Sequence, residues 1–316
     1  MSIIADPIYD SAAPRISTEF GFPVREDVAL TDSKGQPKAK IESAFQKLIS
    51  KIVAPLRRVL EPGETVFLAS SGVPPMGALE QLTMSWLMYR YYTVALVFTD
   101  RRLLVFGLNG SGKWRGTIKE IRWSQVTKAS ATGWLTQGLK LKIGKKTFLY
   151  GKLGIRSTSR IKKLLPLLTA SLPAAVVADP TISVEPRSLC GRCAQHLMPG
   201  TYSCQHCGLQ FKDEKTLLLR TLIPGGAYFY VGAGAVGVIN ALVEALFLFE
   251  IAVVLLSPDI SNRDRGAGAT VIGYLVFLIA LEKAISYSHA RRFIKQFEPV
   301  RVEDTNTTAA MAAFSR

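Results

Sequence analysis

The stretch Leu96-Val-Phe-Thr-Asp-Arg-Arg-Leu-Leu-Val-Phe106 sets two short apolar runs on either side of four polar residues. Each run is too short for a helix and carries β-branched or aromatic side chains, so each reads as a strand. Thr99-Asp100-Arg101-Arg102 between them reads as a tight turn. Working outward, Tyr92–Ala95 extends the first strand, and Gly107-Leu-Asn-Gly-Ser-Gly-Lys113 follows the second as a turn-rich link. Thr117–Val126 and Leu139–Ile143 are expected as further strands. The latter alternates Leu139, Leu141 and Ile143 with Lys140 and Lys142. Lys145-Lys146 makes a turn before Thr147–Tyr150. Ser157–Leu168 then places Ile161, Leu164, Leu165 and Leu168 at helical spacing. Several strands and one closing helix make an α+β unit.

Before this unit, apolar residues fall at Ile41, Phe45, Leu48, Ile49, Ile52, Leu56 and Leu60, the spacing of one amphipathic helix. Lys47, Lys51 and Arg58 lie on its basic side, and Pro62-Gly63 ends it. Residues 1–40 show no sustained period and read as a mostly irregular leader. Leu82–Phe98 is apolar enough to suggest a membrane span. It carries Arg90 at its centre and falls short of the roughly 20 residues a span needs, so the strand reading is preferred.

The 316 residues hold 39 Lys/Arg and 24 Asp/Glu, a net charge of +15. Residues 41–172 hold 21 of those bases and 6 of those acids, so the rest of the chain is neutral. A basic unit of this kind wants an anionic partner: nucleic acid, an anionic lipid surface or an acidic protein. Candidate contact residues are Lys47, Lys51, Arg58, Arg101, Arg102, Lys140, Lys142, Lys145 and Lys146. The plainer alternative is a solvated face on a basic protein. Met1–Asp10 lacks a basic stretch followed by an apolar run, so the N-terminus is expected to stay in a reducing cytoplasm.

Residues 173–188 carry Pro173, Pro180 and Pro186 among small residues and read as a linker. A cluster follows at 189–211: Cys190-Gly-Arg-Cys193, ten residues, then Cys204-Gln-His-Cys207-Gly208. A two-residue gap lets both thiolates of a turn reach one ion, and two such turns supply the four ligands of tetrahedral zinc. A closed four-thiolate site leaves no position for substrate, so structural Zn2+ is expected on Cys190, Cys193, Cys204 and Cys207. His196 and His206 are read as bystanders. A redox-active pair is the alternative, but that chemistry normally uses one Cys-x-x-Cys.

Residues 212–290 change character again. Thr221–Val243 is uncharged, and the apolar run continues to Leu256 with only Glu244 and Glu250 interrupting it. After a polar stretch at 257–268, Gly266–Leu281 is again uncharged. Two membrane helices are expected, at about 231–256 and 268–288, followed by a basic and then disordered tail at 291–316. Lys212, Lys215 and Arg220 precede the first span, and Lys283, Arg291, Arg292 and Lys295 end or follow the second. The connecting loop has only Arg263 and Arg265, so the positive-inside bias puts both flanks in the cytoplasm. Asn240, Glu244 and Glu250 are intramembrane polar groups, read either as helix-association contacts or as a path lining. Ala269-x-x-x-Gly273 offers a small-residue packing face.

Three resemblances emerge from these residues. Leu60-Glu-Pro-Gly-Glu64, the Thr99–Leu103 turn within Leu96–Phe106, the strand at Ile121–Val126 and the helix at 157–168 together resemble the bacterial PH-like domain over roughly 41–172. That resemblance implies a bent antiparallel barrel closed by a C-terminal helix, with lipid or protein as partner. The stretch at 73–90 departs from the family pattern. The cysteine cluster resembles short zinc ribbons ahead of a membrane segment in bacterial membrane proteins. Pro224-Gly-Gly-Ala-Tyr-Phe-Tyr-Val-Gly232 resembles the turn that opens two-helix membrane domains of the TM2 type. Gly107–Trp114 nearly matches a phosphate-binding loop but lacks the hydroxyl after Lys113 and a following helix, so it is read as a hairpin turn.

No nucleophile–base arrangement supports an enzyme. The leading expectation is a multidomain scaffold or adaptor at the bacterial inner membrane, with soluble parts and both termini cytoplasmic, binding anionic lipid or a protein partner. The second is a small oligomeric channel or transporter subunit using Glu244 and Glu250, with the hairpin as homo-oligomer contact. Nucleic-acid binding is the third.

Overall fold

The computed structural model describes residues 14–77, 86–132, 137–170, 185–256 and 265–300. The apolar pair at 96–106 forms the centre of an eight-stranded sheet. Strands β4 (Val94–Thr99) and β5 (Arg102–Leu108) pair antiparallel about the two-residue turn Asp100-Arg101. Leu96, Phe98, Leu103 and Val105 enter one core, and Ala95, Val97, Leu104 and Phe106 enter another on the opposite face. Burial on both faces is why the sequence reads as unbroken apolar runs rather than alternation.

The sheet extends through β3 (Val66–Gly72) on one side and β6 (Trp114–Arg122) on the other. Beyond β3 lie β2 (Val24–Arg25), paired parallel to it, and β1 (Ile16–Ser17). Beyond β6 lie β10 (Arg187–Cys190) and β11 (His196–Leu197). The expectation of an irregular leader is therefore corrected from Ile16 onward. Two-residue strands and the four-residue helix α1 (Glu26–Ala29) are too short to show a period, yet Phe22, Val24, Val28 and Ala29 are buried.

A second sheet contains β7 (Val126–Thr132), β8 (Gly138–Ile143) and β9 (Lys146–Tyr150). Its Leu139, Leu141 and Ile143 are buried while Lys140 and Lys142 are exposed, as the alternation predicts. Helix α5 (Ile155–Ala170) adds Ile161, Leu164, Leu165 and Leu168 to the core between the sheets. The barrel that the resemblance implies is not seen as one closed sheet: the two sheets remain separate and open. β6 already pairs with β5 and β10, so its edge is not offered to β7. The single helix expected over 41–60 is two, α2 (Ala39–Ile49) and α3 (Val53–Val59). The break lets Ile49 and Ile52 both be buried against the second core, with Phe45 and Leu56.

The segment at 73–90 carries helix α4 (Trp86–Tyr91), so the first strand of the opening pair begins at Val94 rather than Tyr92. Residues 78–85 of that segment, and 171–184 of the expected linker, lie outside the described residues.

After the cysteines come α6 (Glu214–Thr221), α7 (Gly226–Tyr230), α8 (Gly234–Leu256) and α9 (Arg265–Ile294). The last two are long and apolar enough to cross a membrane. The first starts at Gly234 rather than 231, because Gly232 turns the chain with φ 76°. The second runs for 30 residues, longer at both ends than expected. Its end is not a free basic tail: Phe293 and Ile294 are buried, and Pro299 bridges to Phe211. Residues 301–316 lie outside the described residues.

Candidate metal centre and the groups around it

Cys190 ends β10, and each cysteine pair sits on a turn of the same design. The Ala194 N–H donates to the Cys190 carbonyl and the Cys190 N–H to the Gln195 carbonyl; Gly208 and Leu209 repeat the pattern with Cys204. The left-handed positions are Ala194 (φ 60°) and Gly208 (φ 70°). Gly191 serves the packing of its turn. A Cβ there would lie 2.7 Å from the Gly116 carbonyl and 2.8 Å from the Trp114 ring, so glycine lets the turn lie against β6.

The four sulfurs lie within 4.8 Å of one another. Cys190 Sγ is 3.5 Å from Cys207 Sγ, and Cys193 Sγ is 3.6 Å from Cys204 Sγ. All four are free thiols. Four thiolates at about 2.3 Å from one tetrahedral ion would stand roughly 3.8 Å apart, so the donor set fits a metal. Burial pushes the Cys190 thiol up, and Cys193 likewise. Burial also opposes ionisation of Cys204, but the Cys207 and His206 backbone N–H groups outweigh it and bring that thiol down to about 7. His206 is exposed, and His196 Nε2 lies 3.6 Å from the Glu120 carboxylate, so neither joins the sulfur cluster.

The candidate basic residues separate into three groups. Lys140, Lys142, Lys145 and Lys146 are exposed on β8–β9, with Lys146 ion-paired to Glu185. Lys47 is exposed and Lys51 half-buried at one end of α2. Arg58 Nη1 donates to the Gly191 carbonyl at 3.1 Å, tying α3 to the first cysteine turn. Arg101 is half-exposed and pairs with Glu61 at 3.0 Å. Arg102 corrects the sequence reading. It is buried, donates to Glu64 at 2.8 and 3.0 Å and to Glu120 at 2.5 Å, and is closed to any outside partner. Burial works against its charge, but Glu64 and then Glu120 outweigh that and hold the guanidinium above its usual pKa. A short strand spacing does not reveal which arginine of a pair turns inward.

The polar groups of the long helices also part company. Glu244 is 2% exposed. It accepts from the Gly225 N–H at 3.1 Å and Asn240 Nδ2 at 2.7 Å, and pairs with Lys283 at 2.5 Å. Lys283 also donates to the Ile223 carbonyl at 3.1 Å, so it braces the turn before α7 against α9. Glu250 is exposed and faces away from this group. Ala269 and Gly273 are likewise exposed and do not pack the two helices together. Gly225 has φ 65°, and a Cβ there would lie 2.1 Å from the Gly237 carbonyl; the Pro224–Gly232 turn packs directly on α8.

Sequence reasoning missed the contact between the β-rich unit and the base of the helical hairpin. Val73, Met88 and Tyr92 share one buried cluster with Tyr228, Ala290, Phe293 and Ile294. Tyr92 Oη donates to the His289 carbonyl at 2.9 Å, and Tyr228 Oη is 3.1 Å from His289 Nδ1. Arg115 reaches Gln296 at 2.6 Å and Glu298 at 3.4 Å, and Lys212 pairs with Glu298 at 2.5 Å. The stretch at 73–90, which departs from the PH-like pattern, was the available signal: Met88 is buried in this cluster and Tyr89 packs against it.

No protein-family model matches the chain, and no curated protein or solved structure matches it.

Proposed function

We propose that the chain is a two-span membrane protein of the bacterial inner membrane, a scaffold or adaptor whose PH-like module works at the cytoplasmic face. The single observation carrying this reading is the shared cluster of Tyr92 and Met88 with Ala290 and Phe293. It joins the basic module to the end of α9, so the module is held at the foot of the hairpin instead of trailing on a tether. The open two-sheet unit with its closing helix is read as a PH-like fold, and the hairpin with its Gly225 turn as TM2-like. Structural Zn2+ on the four cysteines clips the strand after the module to the hairpin's approach. The positive flanks of both helices support a cytoplasmic orientation.

In this reading Lys140, Lys142, Lys145 and Lys146 meet the anionic leaflet, each contributing on the order of 1 kcal/mol. The test uses full-length protein with an environment-sensitive label at position 142, reconstituted in bilayers carrying a lipid-borne quencher. Quenching is expected in phosphatidylglycerol bilayers and should fall as salt is raised. Equal quenching in neutral bilayers would remove the lipid part of the reading.

A further inference from the structure

A cleft of about 520 Å³ opens beside α2. Six bases line it: Lys40, Lys47, Lys51, Arg90, Arg156 and Arg160. They come from α2 and the turn after it, from α4 and from the first turns of α5. No carboxylate is among the described residues that line it. Holding six like charges around one concavity is unfavourable, and low-dielectric walls focus the resulting potential inward. A flat solvated face would let lysines spread apart; a cleft does not.

The walls supply further donors. Ser71 and Ser157 line the cleft, the latter in the first turn of a 16-residue helix whose N-terminal N–H groups favour anions. The Gly107–Lys113 link supplies backbone at Gly110 and Gly112. Asn109 Oδ1 accepts from the Ser111 and Lys113 N–H groups at 3.1 and 2.9 Å, which fixes that turn. Close approach is built in. A Cβ on Gly112 would lie 2.8 Å from Lys51 Nζ, and one on Gly110 would lie 2.9 Å from the Tyr91 ring. Arg160 is held by donation to the Val28 and Ala29 carbonyls, so its charge is positioned before any ligand arrives.

We propose that this cleft binds a compact ligand carrying at least two phosphate groups. One phosphodiester neutralises a single charge, whereas paired phosphates match a cleft where Lys40, Lys47, Arg90 and Arg156 converge beside Lys51 and the anchored Arg160. The chemistry is common to a bisphosphate lipid headgroup and to a soluble di- or polyphosphate. The cavity alone calls for such a ligand, whether or not the β8–β9 lysines touch a bilayer.

The test is calorimetric titration of inorganic pyrophosphate into the full-length protein in neutral detergent. Saturable one-to-one binding is expected. Lys47→Gln with Lys51→Gln should weaken it by at least about tenfold, while Lys140→Gln with Lys142→Gln should leave it unchanged. Repeating the titration in nanodiscs separates the sources. A lower apparent affinity with cardiolipin than with phosphatidylcholine alone assigns the cleft to a lipid headgroup. Equal affinity in both assigns it to a soluble ligand. Absence of pyrophosphate binding, or binding indifferent to Lys47 and Lys51, would overturn the proposal. Failure here leaves the position-142 quenching result intact, and the reverse also holds.

Discussion

Arg102 grips Glu64 in a two-point pair, Nε to Oε1 at 3.0 Å and Nη2 to Oε2 at 2.8 Å. Glu64 also accepts from Thr99 Oγ1 at 2.7 Å and from the Glu61 N–H at 2.8 Å. The Leu60–Glu64 turn and the Thr99–Arg102 turn are therefore one buried polar network. This explains physically why the two fragments occur together in the chain. Arg102→Met strands the Glu64 and Glu120 carboxylates in the core and is expected to cost about 3–5 kcal/mol, while Glu64→Gln, which leaves Arg102 paired with Glu120, should cost less. Trp123 stacks on Phe98 in that core, and its fluorescence during denaturant titration reads the loss. A change below about 1 kcal/mol would show the network to be dispensable.

Metal removal should reach beyond the cysteine turns. The structure pairs β10 with β6 from Arg187↔Glu120 to Cys190↔Thr117, and seats Gly191 on Gly116 and Trp114. Chelation, or Cys190→Ser, is expected to lower the thermal midpoint of the whole β-rich unit by at least about 5 °C. Circular dichroism of the full-length protein checks this. An unchanged midpoint would make the metal turns independent after all.

In the hairpin, Glu244→Ala leaves the Lys283 ammonium without its carboxylate and the Gly225 N–H without its acceptor. The expected cost is about 3–5 kcal/mol, read as unfolding at lower SDS fraction. The double substitution Glu244→Gln with Lys283→Met should recover part of it, because neither member of the pair is left without the other. Glu250→Gln, on the exposed side, should change little.

Burial, and after it the Arg292 and Arg115 charges, bring the Lys119 ammonium down to about 8. An unfolded lysine keeps its proton to about pH 10.4. Between these values the unfolded chain binds more protons, so this group makes stability rise as pH goes from about 8 to about 10. Below about 8 the penalty is present in full. Lys119→Met should therefore raise stability at pH 7 and flatten the slope between pH 8 and 10 relative to the parent chain. A parallel pair of curves would contradict the assignment.

Much of this architecture is legible in the residues. Period-two alternation places Leu139, Leu141 and Ile143 inward, and continuous apolar runs announce a doubly buried strand pair. The spacing of Cys190, Cys193, Cys204 and Cys207 brings all four sulfurs together. What escaped has a physical cause in each case. Two-residue strands such as Val24–Arg25 have no period to detect. Arg101 and Arg102 are the same residue type, one in the turn and one opening β5, and the buried partners Glu64 and Glu120 draw only the second inward. β10 joins the sheet across a long sequence separation, which no local pattern encodes. The Tyr92–His289 bond spans 197 residues for the same reason.

In the proposed function the β-rich unit stands on the cytoplasmic side at the foot of a two-span hairpin. Labelling with a membrane-impermeant maleimide tests it most directly, using a cysteine at Ser261 between the two helices and another at exposed Ser159 on α5. In intact spheroplasts Ser261→Cys should label and Ser159→Cys should label only after permeabilisation. Labelling of Ser159→Cys in intact spheroplasts, or protection of Ser261→Cys there, would contradict the account.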